Sequence, residues 1–156
     1  MSGIMRILAR DKRGSTAIEL GLALPILGVM LAGMVDLSRG FAAKLKLEQA
    51  AQSTIETVQQ RGYVTSTTSL TDLEDEAEAR AGTGAVATAT AYRECGTGTS
   101  KTTTTLTGTC ASGQASARYV SVSIAQSYTP LFGMTFAGEE ANGTYSMVGE
   151  SALRFQ

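Results

Sequence analysis

The sequence predicts an α+β protein: a long N-terminal helix, first membrane-spanning and then amphipathic, a short second helix, and a small antiparallel sheet of about three strands packed on the helix. Three observations point there. Ala17 to Val35 is a nineteen-residue apolar run with a single charge, Glu19. Phe41 to Arg61 has neither glycine nor proline and places apolar residues at helical spacing. Beyond Gly84 the period changes from helical to two, the mark of strands.

Composition narrows the function. The chain has 156 residues, a net charge of -1, and no histidine or tryptophan, enough for one small domain plus an anchor. A near-neutral balance without a basic face argues against nucleic-acid binding. The lack of histidine removes most general-base chemistry, the usual serine triad and most zinc sites. Gly96 to Thr102 superficially resembles a phosphate loop, but Ser100 and not glycine precedes Lys101. No cofactor, metal or catalytic group is expected, and the function is read as structural.

The charges are uneven along the chain. Arg6, Arg10, Lys12 and Arg13 precede the apolar run against Asp11 alone. Nineteen helical residues reach about 28 Å, the thickness of a bilayer's hydrocarbon core. The basic flank places residues 1–14 in the cytoplasm and everything after Asp36 outside. The expected divisions are a leader at 1–14, a transmembrane helix at 15–38 and an extracytoplasmic head at 39–156 that includes helix 41–61. A cleaved secretory signal would have a shorter apolar region and a small-x-small site, which Leu31-Ala32-Gly33 does not supply cleanly.

Where leader meets helix, the chain reads Arg13-Gly14-Ser15-Thr16-Ala17-Ile18-Glu19-Leu20. A carboxylate at the edge of hydrocarbon needs a partner. Cleavage after Gly14 would give Ser15 a free α-amino group able to pair with Glu19 of the same chain or of a neighbour. Thr16-x-x-Glu19 is equally a capping box, with the acid favoured near a helix N-terminus. Both readings stand on these residues.

The run Gly14-Ser15-Thr16-Ala17-Ile18-Glu19-Leu20-Gly21-Leu22-Ala23-Leu24-Pro25 resembles the TadE-like family, minor pseudopilins of the tight-adherence (Flp-type) type IV pilus. Ala17, Glu19 and Pro25 match the family pattern, while Leu20 stands in place of an aromatic and Gly21 in place of alanine. The resemblance implies a type IV pilin-like lollipop in the bacterial inner membrane, its head periplasmic. It implies a prepilin peptidase that cuts between Gly14 and Ser15, and as further partners the pilins, other pseudopilins and the inner-membrane assembly platform. It also favours the processing role for Glu19.

The apolar helix carries a packing signature of its own. At about 100° per residue, Ala17, Gly21, Leu24, Gly28 and Ala32 share an arc of about 80°, a mostly small-residue stripe that lets helices approach closely in lipid. Glu19 lies roughly opposite. Glycine and alanine are also simply frequent in membrane helices. Pro25 removes one helix hydrogen bond and predicts a kink.

In the head, Phe41, Leu45, Leu47, Ala51, Ile55 and Val58 are expected on one buried face, with Gly62 ending the helix. A second helix is predicted at 71–81, opened by the capping box Thr71-x-x-Glu74 and stopped by Gly82, its acids forming a solvated face and not a calcium site. Strands are predicted around Val86 to Arg93, Val120 to Ala125 and Tyr145 to Phe155. Cys95 and Cys110 bracket a polar, Thr-rich stretch of fourteen residues between the first two strands; export and the lack of apolar support there predict a disulfide. The apolar loop Pro130 to Gly138 is expected to tuck under the sheet, the alternative being an interaction patch. Asn142-Gly143-Thr144 reads as a turn.

The expectation is a processed pseudopilin, a substrate of an enzyme and not an enzyme. Its rivals are an unprocessed, membrane-anchored assembly factor and an exported binding domain with an incidental anchor.

Overall fold

The computed structural model describes residues 13–61, 67–133 and 138–154. Most of the leader, Gly62 and the final residues of the last predicted strand lie outside these segments.

The first helix, α1 (Arg13–Arg61), runs for 49 residues without interruption, through Pro25. At 1.5 Å per residue it is roughly 74 Å long. Its two halves differ in what they touch. Up to Val35 the large apolar residues are exposed, whereas from Asp36 on a stripe at helical spacing turns inward: Asp36, Gly40, Leu47, Ala50, Ala51, Thr54, Ile55 and Val58 are buried. Thr54, fully buried, donates its hydroxyl hydrogen to the Ala50 carbonyl at 2.8 Å, so no polar atom is stranded there. Phe41 and Leu45 depart from the expected face. They are 64% and 40% exposed, because the inward stripe passes through Gly40 and Leu47 and leaves them at its margin.

The second helix, α2 (Thr67–Ala81), begins four residues before the expected start. Thr71 is therefore inside the helix and is not its cap. The earlier start adds Leu70 to a face that continues through Leu73, Ala77 and Ala81, a spacing that presents all four to the core. Gly82 ends the helix as expected. Its φ of 99° and the bond from its amide to the Glu78 carbonyl at 2.8 Å form a left-handed cap.

Four strands follow, one more than expected: β1 (Ala85–Cys95), β2 (Thr102–Thr105), β3 (Ser116–Tyr128) and β4 (Tyr145–Arg154). All pair antiparallel in the order β2-β1-β3-β4. The additional strand, β2, lies in the segment between the two cysteines. Its Thr-only sequence has strand propensity but no alternation of polarity to reveal it.

Both helices cover one face of this sheet, α2 over β1 and α1 over β4 and β3. That face has bulk in the middle and little at the sides. Val120, Val122 and Ile124 of β3 are fully buried, flanked on β1 by Ala91, Ala89 and Ala87 and on β4 by Leu153, Ser151 and Gly149. The small residues let each helix lie close to its strand. The opposite face is polar, with Val86, Thr88 and Thr90 exposed, Thr90 and Ser121 hydroxyls 2.7 Å apart, and Tyr92 stacked on Tyr119.

The helix α2 also protects the sheet edge. Glu74 and Glu78 do not join a wholly solvated face: Glu78 accepts the Ala87 amide at 3.0 Å and Glu74 the Ala89 amide at 2.8 Å. These amides belong to the part of β1 that lies beyond the reach of β2. Two carboxylates one helical turn apart thus match two alternate strand amides.

Candidate functional site in the anchor and at its junction with the head

Gly14 and Ser15 lie in the first turn of α1, so the bond between them is in helical backbone in the uncut chain. Because α1 starts at Arg13, Thr16 is not at the N-cap position. Ala17, Glu19, Gly21, Leu24, Pro25 and Gly28 are exposed and Ala32 is half-buried. A Cβ added at Gly21 or Gly28 would meet nothing within 4 Å, so no contact among the described residues requires glycine at either position. The anchor's most apolar window has a mean hydropathy of 2.1 and no part of it is buried within the chain. Among the described residues one helix is therefore long and apolar enough to cross a membrane, and its large apolar side chains up to Val35 are exposed.

The anchor meets the head at Asp36, a residue that sequence reasoning used only to end the apolar run. The Asp36 side chain, 1% exposed, accepts the Leu131 amide at 2.7 Å and the Phe132 amide at 3.0 Å. The Tyr128 hydroxyl donates to the Asp36 backbone carbonyl at 3.0 Å. A charge that would be costly to bury alone is satisfied by backbone donors. The signal in the sequence was a lone acid between Val35 and Leu37, but its partners lie more than ninety residues away.

Gly40 lies one turn further along α1. A Cβ there would stand 3.4 Å from the Tyr128 ring and from the Met147 methyl, in ordinary van der Waals contact, so β3 and β4 pack against α1 at this point. The Lys44 amine donates to the Val148 carbonyl on edge strand β4. Between these contacts is a cavity of about 270 Å³ lined by Leu37, Gly40, Phe41, Tyr128, Tyr145 and Met147.

The described start of the loop beyond β3, residues 130–133, does not tuck under the sheet as expected. Leu131 and Phe132 are 58% and 55% exposed, because Asp36 holds their amides and leaves their side chains pointing away from the core. Residues 134–137 of the expected apolar loop lie outside the described segments. Asn142 to Thr144 does form the expected turn, with the Asn142 side-chain oxygen accepting the Thr144 amide at 3.1 Å.

At the far end of the head, Cys95 and Cys110 are joined in a disulfide with Cα atoms 5.4 Å apart. Lys101, just before β2, lies 3.0 Å from Glu94, and the hydrogen bond and charge of that carboxylate push the lysine pKa upward from its ordinary value. Among the described residues no cluster of acids and cysteines is arranged to hold a metal.

The class is thus a single apolar helix continuous with the core helix of a small α+β head. More narrowly, residues 14–55 match the family model described as TadE-like protein, the family that the run from Gly14 to Pro25 resembles. The matched segment holds Gly14, Ser15, Ala17, Glu19, Gly21, Pro25, Gly28 and Ala32, together with Asp36 and Gly40. No curated protein and no solved structure matches the chain.

Proposed function

We propose that this protein is a minor pseudopilin acting in tight-adherence pilus assembly. The observation that carries the reading is the TadE-like match, which begins at Gly14, where a peptidase of that system would cut, and runs into the head helix. The leader stays in the cytoplasm and the head faces the periplasm, an orientation supported by the cations before Ala17 and by the disulfide in the head. A prepilin peptidase cuts between Gly14 and Ser15. The new α-amino group pairs with Glu19 of the same chain or of a neighbour, and helices pack along Ala17, Gly21, Gly28 and Ala32, where no contact among the described residues requires the glycines. Pro25 interrupts one hydrogen bond within that segment and permits local adjustment. The protein is a substrate and an assembly component, not a catalyst.

A second reading keeps the leader and makes the protein a permanent membrane-anchored assembly factor; the helical backbone across Gly14 and Ser15 favours it. Intact mass and N-terminal sequence of the membrane-extracted chain, produced with and without the cognate peptidase, separate the two. A peptidase-dependent start at Ser15 supports the pseudopilin. A start at Met1 in both samples supports the permanent anchor, and a start beyond Ala32 would discard both in favour of a secreted domain.

A further inference from the structure

Leu131 and Phe132 are exposed apolar side chains whose height is fixed by the anchor. Their amides are held by Asp36, the residue that directly follows the nineteen-residue apolar run, so they lie at the level where that run ends. A span of that length fills the hydrocarbon core, which puts Asp36 and the next turn of α1 in the headgroup zone. Leu37 and Phe41, each 64% exposed, share this level on α1. Tyr128 and Tyr145 line the cavity alongside, and Lys44 marks its upper end. Exposed apolar side chains, two tyrosines and, about two turns of α1 beyond Asp36, a lysine are the chemistry of a membrane interface. The acid at its centre has its charge met by amides and carries no unmet need for water.

We propose that the segment Pro130–Gly133 is a second membrane contact. Leu131 and Phe132 dip into the lipid at the headgroup–acyl boundary of the bilayer that α1 spans, and the head rests on that surface. The occupant of the apolar patch is lipid, because the tether to Asp36 sets the patch at lipid depth. Leu131 and Phe132 are uncharged, and the contact they make is apolar; Arg39, exposed on the adjoining turn of α1, lies outside it. The inference rests on the membrane-anchor reading of α1 and adds to it a contact made by the head.

The chain has no tryptophan, so Phe132→Trp introduces a single reporter at an exposed site, and Leu27→Trp does the same near the middle of the span. Each full-length variant is reconstituted into phosphatidylcholine vesicles carrying a nitroxide either near the headgroup or deep in the acyl chain. Deep labels should quench the Leu27→Trp emission. Shallow labels should quench Phe132→Trp emission several-fold more than deep ones, and high salt should leave this unchanged. Quenching of Leu27→Trp alone overturns the docking while the anchor stands. A blue-shifted but unquenched Phe132→Trp emission means that protein, a second copy included, covers the loop, and also overturns it. Failure of the Leu27→Trp reporter to respond overturns the anchor, and the docking with it.

Discussion

Gly149 of β4 lies directly against the backbone of Leu47 in α1: a Cβ at Gly149 would fall 2.4 Å from the Leu47 carbonyl carbon and 2.7 Å from the Glu48 amide nitrogen. Main chain cannot rotate aside as a side chain can. Gly149→Ala should therefore push α1 off the sheet and destabilise the head by about 1–3 kcal/mol, the usual range for overpacking. Thermal unfolding of the detergent-solubilised chain measures this. An unchanged midpoint would mean that helix and strand are not in contact as described.

Asp36 should matter for the loop more than for the sheet. Asp36→Ala removes the acceptor for the Leu131 and Phe132 amides, a loss of about 1.5–3 kcal/mol for bonds to a charged group. Asp36→Asn keeps a neutral acceptor and should lose less. Hydrogen exchange at those two amides should quicken in the order wild type, Asn, Ala, while exchange at Val122 stays slow.

Reducing the Cys95–Cys110 bond releases a loop whose described contacts include the four pairs between β1 and β2. A fifteen-residue closure gives roughly 3 kcal/mol in the chain-entropy model. Cys95→Ser with Cys110→Ser should lower the unfolding midpoint accordingly, and amide exchange should rise first at Thr102 to Thr105. An equal rise across β3 would show that the disulfide supports the whole sheet.

The edge of β1 offers a further test. Glu74→Ala and Glu78→Ala each leave one strand amide without its acceptor and should cost about 1 kcal/mol apiece. The double variant also opens an edge to pairing between molecules. Denaturant midpoint and light scattering together report both effects, and Glu→Gln at either site should fall between wild type and alanine.

What the sequence revealed depended on the range of the interaction. The anchor, the end of α2 at Gly82 and the alternation in β1 and β3 follow from neighbouring residues, so the local pattern shows them. Apolar spacing puts Phe41 and Leu45 in the inward stripe of α1, because hydrophobicity alone cannot separate a residue over the core from one at its margin. Its true line passes through Gly40, buried against Tyr128 and Met147, and Asp36, polar to hold a distant loop. Both are non-hydrophobic residues in a buried stripe, and a search for apolar faces misses them. Glu74 and Glu78 were hidden likewise, since a carboxylate that serves a strand amide looks in sequence like one that faces water. The candidate processing and packing residues were read from a local motif, and the family match covers that same segment.

The unbroken course of α1 from the anchor into the core has a consequence for rotation. With no joint between Gly28 and Leu47, a twist applied to the membrane half about its axis turns the sheet by the same angle. Nineteen steps of about 100° leave the Gly28 side roughly a quarter turn from the side that Leu47 presents to the sheet. A neighbour seated along Gly21 and Gly28 would therefore meet the head at one fixed bearing. A single residue inserted between Gly28 and Val35 would keep every contact of the head yet swing it through about 100° relative to that neighbour. Phase along the helix, as much as any contact, determines which surface the head turns outward.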